Sequence, residues 1–112
     1  VPMFSATIFG EMAFPEVMPR QLAIAHTHLF TKTSIEHLGQ EFGLSSVAAW
    51  WFGTDMMDYY RSVAVTLQAN PDTAKMGDAW GQEFQPILDD MQLAIDKQRR
   101  SSQVHMLMRF DD

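Results

Sequence analysis

Over much of the chain, apolar positions recur three and four residues apart, which is the period of one helix face. After Pro19, a residue suited to a first helical position, Leu22, Ala25 and Leu29 with His26 predict a helix over residues 20–32. Thr33 and Glu36 then form a T-x-x-E capping box ahead of the stripe Ile35, Leu38 and Phe42, and Gly43 supplies the stop. Ser45 or Ser46 caps a short helix that runs to Phe52 and halts at Gly53. Thr54 caps the next helix, over 55–68. Asp55 and Asp58 sit at its positive end, Met56, Tyr59 or Tyr60, Val63 and Leu67 form its stripe, and Asn70-Pro71-Asp72 ends it. Met76, Trp80 and Phe84 predict a helix over 73–84, frayed or kinked because Gly77 and Gly81 each cost about 1 kcal/mol relative to alanine. Pro86 opens a further helix with Ile87, Met91, Ala94, Ile95 and Gln98 on one face, Asp89 and Asp90 in its first turns and Lys97, Arg99 and Arg100 in its last. Residues 103–110, QVHMLMRF, alternate enough for a strand or prolong that helix.

The first 19 residues lack a clear period, and Pro15 and Pro19 break any long helix there. They read as an extended apolar arm, or a short strand and turn, that covers the domain's own core in preference to a neighbouring chain. A length of 112 residues suits one domain. The expected fold is therefore mainly α: a small single-domain helical bundle of four to five helices over residues 1–112, with an αα-hairpin at 34–53, an N-terminal arm at 1–19 and a C-terminal tail at 103–112.

Composition narrows the function classes. Hydrophobic residues make up 46% and charged residues 20%, a globular balance. No apolar run reaches the roughly 18 residues of a membrane span. The arm carries Glu11 and Glu16 but no basic residue, which is unlike a secretory signal, and the reading is cytoplasmic. The absence of cysteine removes disulfides, thiolate catalysis and cysteine-ligated metals. Nine methionines point to adaptable contact surfaces. The net charge of −6 is concentrated in residues 55–96, whereas Lys97, Arg99, Arg100 and Arg109 make the following stretch locally basic. Such a balance disfavours general phosphate-backbone binding.

Residues 34–53 place Leu38, Phe42, Leu44, Ala49 and Phe52 at apolar positions around the small Gly39, and this pattern resembles a helix-turn-helix. The resemblance implies DNA reading. Yet the second element, Ser45-Ser46-Val47-Ala48-Ala49-Trp50-Trp51, offers no Arg, Lys, Asn or Gln for base edges, and residues 35–60 contain no Lys or Arg for phosphates. A plain αα-hairpin is the better reading. His26, His28, His37 and His105 do not converge at metal-ligand spacing, and no H-E-x-x-H, G-x-S-x-G, P-loop or dinucleotide fingerprint occurs. The adjacent Asp89 and Asp90 read as partners of a helix dipole. No catalytic residue, metal or cofactor is assigned.

What remains is surface. Trp50 and Trp51 on a helix would point about 100° apart, so one of them should lie near solvent. Phe4, Ile8, Phe9, Trp50, Trp51, Met56, Met57 and Tyr60 are the candidate protein-contact residues, with Met106 and Met108 a further patch. The expectation is a non-enzymatic subunit, adaptor or assembly factor bound to a protein partner, in a homo-oligomer or a larger complex. An alternative is an acidic inhibitor of viral or mobile-element type, in which Asp72, Asp78, Glu83, Asp89, Asp90 and Asp96 imitate a row of phosphates. A helix-turn-helix regulator is the third.

Overall fold

A computed structural model describes residues 1–23 and 25–112. The described residues form helices α1 (Ala6–Ala13) and α2 (Lys32–Phe42), strand β1 (Leu44–Phe52), helices α3 (Asp55–Ala69), α4 (Ala74–Phe84) and α5 (Leu88–Lys97), and strand β2 (Gln103–Phe110). β1 and β2 pair antiparallel, so the molecule mixes helices with a two-stranded sheet. This overturns the expected helical bundle and its αα-hairpin at 34–53. No described helix is long and apolar enough to cross a membrane.

The correction at 44–52 has a local cause. Val47, Trp50, Trp51 and Phe52 favour strands, and Gly43 and Gly53 bound the segment at nine residues, within the usual length of a strand. Gly43 takes the left-handed conformation (φ 60°, ψ 47°) at the end of α2, and the chain leaves it already extended. QVHMLMRF then forms the partner strand, so both segments satisfy their backbone groups through each other. With the second helix gone, the helix-turn-helix resemblance has no structural basis.

Other boundaries shift for equally specific reasons. The arm is not wholly extended. Val1 and Met3 bracket an isolated bridge from Pro2 to Gln103, after which Ser5 caps α1 by accepting a hydrogen bond from the Thr7 N–H. Residues 20–23 and 25–30 are irregular, so the predicted 20–32 helix is absent among the described residues; Ile24 lies outside them. The capping box of α2 sits two residues earlier than expected, between Thr31 and Ser34. Thr54 makes no capping bond to α3; its hydroxyl donates to Asp58 at 2.8 Å. α4 runs unbroken because its glycines admit close neighbours: a Cβ on Gly77 would lie 2.9 Å from Gln68 Cγ, and one on Gly81 would lie 3.0 Å from the Tyr60 hydroxyl. α5 ends at Lys97, so Arg99 and Arg100 lie beyond it, with Arg99 in a left-handed turn at φ 55°.

α3 and α4 form a helical hairpin, and α5 returns along α3 toward the sheet. Trp80 locks the hairpin, stacking on Phe84 and Tyr60 while its Nε1–H donates to the Tyr60 carbonyl at 2.9 Å. Among the described residues, the deeply buried apolar side chains are Met3, Met18, Leu88 and Val104. They are few for this length, and the extents of 62 × 26 × 18 Å show why. The radius of gyration is 17.1 Å, against about 13 Å for a compact chain of this length.

Candidate functional site

The β1–β2 ribbon is only partly covered by the helices. Its register sets Trp50 opposite His105, Ala48 opposite Leu107 and Phe52 opposite Gln103. Opposed residues share a face, so these side chains form one surface. Ring contacts support that placement: His105 lies edge-on to Phe52 at 4.6 Å and to Trp50 at 6.1 Å, and Trp50 lies 5.9 Å from Phe52. Trp50 is nevertheless 69% exposed and Leu107 61%. A bulge at Val47, between Ser46 and Ala48, bends β1 near its start.

The opposite face carries Ala49, Trp51, Val104 and Met106, and α2 lies on that side. Gly39 permits the approach, since a Cβ there would meet the Leu44 carbonyl at 2.8 Å. Lys32 Nζ stands 5.5 Å above the Trp51 ring. The cover is partial: an open cleft of about 510 Å³ remains, lined by Ile35, Gly39, Ala49, Trp51, Met106 and Met108 among others. A strand with one packed face alternates in exposure, but residues 46–50 are all exposed. The middle of β1 is therefore open on both faces.

A buried polar cluster fixes how the ribbon is held. Asp55, 2% exposed at the start of α3, accepts the Ser102 backbone N–H at 3.0 and 3.3 Å and the Gln92 side-chain amide at 3.0 Å. The same amide donates to Asp96 at 2.9 Å, Gln92 Oε1 accepts the Met56 N–H at 3.0 Å, and the Ser101 hydroxyl donates to Asp96 at 2.5 Å. Gly53 lies against this carboxylate, leaving no room for a side chain: a Cβ would stand 2.6 Å from Ser102 Oγ. One end of the ribbon, where β1 leaves at 52–53 and β2 enters at 101–103, is thus bound to α3 and α5 through Ser101 and Ser102 by two carboxylates and one amide. Both Asp55 oxygens are engaged by the protein itself, so the cluster acts as a brace.

The other sequence-assigned residues scatter. Phe4 and Phe9 are exposed on and beside α1, edge-on to each other at 6.1 Å, while Ile8 is half-buried. Met56, Met57 and Tyr60 are half-buried on α3, and Met56 lines an apolar cleft of about 350 Å³ with Phe9, Phe14, Met18, Tyr59 and Met91. Trp51 is half-buried and Trp50 exposed; a strand sends adjacent side chains to opposite faces, so the pair diverges for a different reason than on a helix. Asp72, Asp78, Glu83, Asp89 and Asp90 are exposed, but Asp96 turns inward to the Gln92–Ser101 contacts. The sequence reading missed Val47, Phe52, His105 and Leu107. The signal for them was nine uncharged residues between two glycines, together with a later alternating segment of matching length.

Comparison of the chain with protein-family models, curated proteins and solved structures gives no match.

Proposed function

We propose that this chain is a non-enzymatic assembly subunit that works by presenting the β1–β2 ribbon to a protein partner. The observation that carries this reading is the exposure of the middle of β1 on both faces, in a strand that contains Trp50 and no charged residue. A large aromatic residue in an apolar, water-exposed patch is the kind of anchor that dominates protein interfaces. Apolar strands left open are also an aggregation hazard unless a partner covers them. The acidic-inhibitor alternative is weaker, because Asp96 is committed to internal hydrogen bonds and leaves the proposed row.

Cross-linking mass spectrometry on the tagged chain in a lysate of its source tests the proposal. Cross-links from Lys32 and Lys97, which precede β1 and β2 in sequence, should identify a protein partner, this chain included, whose capture falls with Trp50→Ala and with Leu107→Ala. Capture that is indifferent to both substitutions would refute it.

A further inference from the structure

We infer that the partner is a second copy of this chain, docked along the free edge of β1 so that two ribbons join into one four-stranded antiparallel sheet in the order β2-β1-β1-β2. This rests on the assembly reading above and names its occupant.

The two edges of the ribbon are not equivalent. The outer edge of β2 is used at its start: the Val1 nitrogen donates to the Val104 carbonyl at 2.6 Å, the Val104 N–H donates to the Val1 carbonyl at 3.0 Å, and the Met3 N–H donates to the Ser102 carbonyl at 2.7 Å; further along, β2 carries Arg109, a charge of the kind that protects an edge. No strand lies beside the outer edge of β1 among the described residues. Its sequence, LSSVAAWWF, has neither a charge nor a proline, the usual protections of an edge strand. The bulge at Val47, the fourth of the nine residues, is the one such device in β1, and it leaves 48–52 regular.

Area gives the scale of what is missing. The chain exposes 8099 Å². A compact monomer of 12.8 kDa exposes about 6,300 Å², so the excess is about 1,800 Å². Obligate homodimers bury roughly 2,000–5,000 Å² in total, about 1,000–2,500 Å² from each chain, and the excess, summed over the whole chain, falls in the range for one chain. Charge selects the route of approach. Two copies at −6 each repel, and the densest acidic stretch, residues 55–96, lies on α3, α4 and α5 and in the turns between them. β1 itself carries no charged residue, and the Asp111 carboxylate beside its start accepts from the Ser45 hydroxyl.

Symmetry then sets the geometry. Antiparallel pairing of a strand with its own copy requires a twofold axis normal to the sheet. That operation keeps faces together, so Trp50, His105 and Leu107 of both copies join on one side of the sheet. An axis within the regular, exposed part of β1 passes beside Ala48, Ala49 or Trp50. The residue at the axis faces its own copy with Cα atoms about 4.5–5.5 Å apart, within disulfide reach.

The chain has no cysteine, which makes the test direct. Single substitutions Ala48→Cys, Ala49→Cys and Trp50→Cys are oxidised in the full chain, with Met76→Cys on α4 as the remote control. One of the three should give a covalent dimer on a non-reducing gel, and the control should not. Light scattering should give the unmodified chain twice 12.8 kDa, and Ala48→Lys or Ala49→Lys should weaken dimerisation roughly tenfold or more, because the twofold axis brings the new charges together. Both alanines are exposed, so these variants test pairing without removing a core contact. A monomer at all concentrations whose capture of a different protein still depends on Trp50 overturns this inference and leaves the assembly reading intact. A dimer indifferent to the lysines, in which none of the three cysteines cross-links, overturns the β1 edge as the site. A monomer that captures nothing overturns both.

Discussion

Removing the carboxylate of Asp55 should cost this fold more than removing most of its exposed apolar side chains. Asp55→Ala leaves the buried Ser102 N–H without its acceptor and takes one of two acceptors from the Gln92 amide. A buried donor left unsatisfied costs about 1–3 kcal/mol, and a carboxylate lost from a helix's first turn adds about 0.3–1 kcal/mol. The expected loss is therefore about 2–4 kcal/mol, a large fraction of the roughly 5–15 kcal/mol typical of a domain. Asp55→Asn keeps one oxygen for the Ser102 N–H but turns an amide donor toward the Gln92 donor, and should cost about 1–2 kcal/mol. Urea unfolding followed by far-ultraviolet circular dichroism separates the two, with all variants at one protein concentration because self-association adds to apparent stability. An alanine variant within about 0.5 kcal/mol of the parent, or an asparagine variant less stable than alanine, would refute the reasoning.

Trp80→Phe keeps the ring stack between Tyr60 and Phe84 but loses the 2.9 Å bond to the Tyr60 carbonyl. It should cost about 1 kcal/mol in urea unfolding, against about 3–5 for Trp80→Ala, and equal costs would show that the hydrogen bond, not the packing, closes the hairpin. Gly43→Ala meets no neighbour within 4 Å, so its effect comes from the left-handed backbone alone. A thermal melt should show a loss of about 1–2 kcal/mol, mostly restored by Gly43→Asn, and an unchanged midpoint would contradict the assigned turn.

The helices over 55–68 and 73–84 and the one opened by Pro86 were legible in the sequence because local signals agreed there. Apolar spacing, acidic first turns and the break at Asn70-Pro71 all point the same way. The ribbon was illegible because its evidence is non-local. LSSVAAWWF has neither a strict two-residue alternation nor a helical one, and only pairing with residues more than fifty positions later decides between them. The periodicity of 20–32 is misleading: Leu22 and Ala25 are exposed and His26 and Leu29 half-buried, on a chain without helix at these positions among the described residues. For the site, the sequence names Phe4 and Phe9 on an arm expected to cover the core, and one of Trp50 and Trp51 near solvent; the structure leaves Phe4, Phe9 and Trp50 exposed. The ribbon neighbours of Trp50, His105 and Leu107, become visible only once the register is known. The Asp55–Gln92–Ser102 brace had no signal beyond an acidic residue at a helix start, a feature that a simple dipole argument explains equally well.

That brace and the open strand belong to one design. Apolar burial within a single chain is sparse, and its main polar cluster lies where the ribbon joins α3 and α5. Hydrogen-bonded carboxylates and amides contribute less net stability than apolar packing of similar volume, but they tolerate only one geometry. A ribbon held mainly by apolar contact could slide or rotate against the helices. Held by two bonds from the Ser102 N–H and one bridging glutamine, it projects β1 and Trp50 in a fixed direction. Preorganised presentation lowers the entropy lost on association. Hence an edge strand that would be a liability on a loosely attached hairpin is held here in one orientation, as the proposed docking of a second copy along β1 requires.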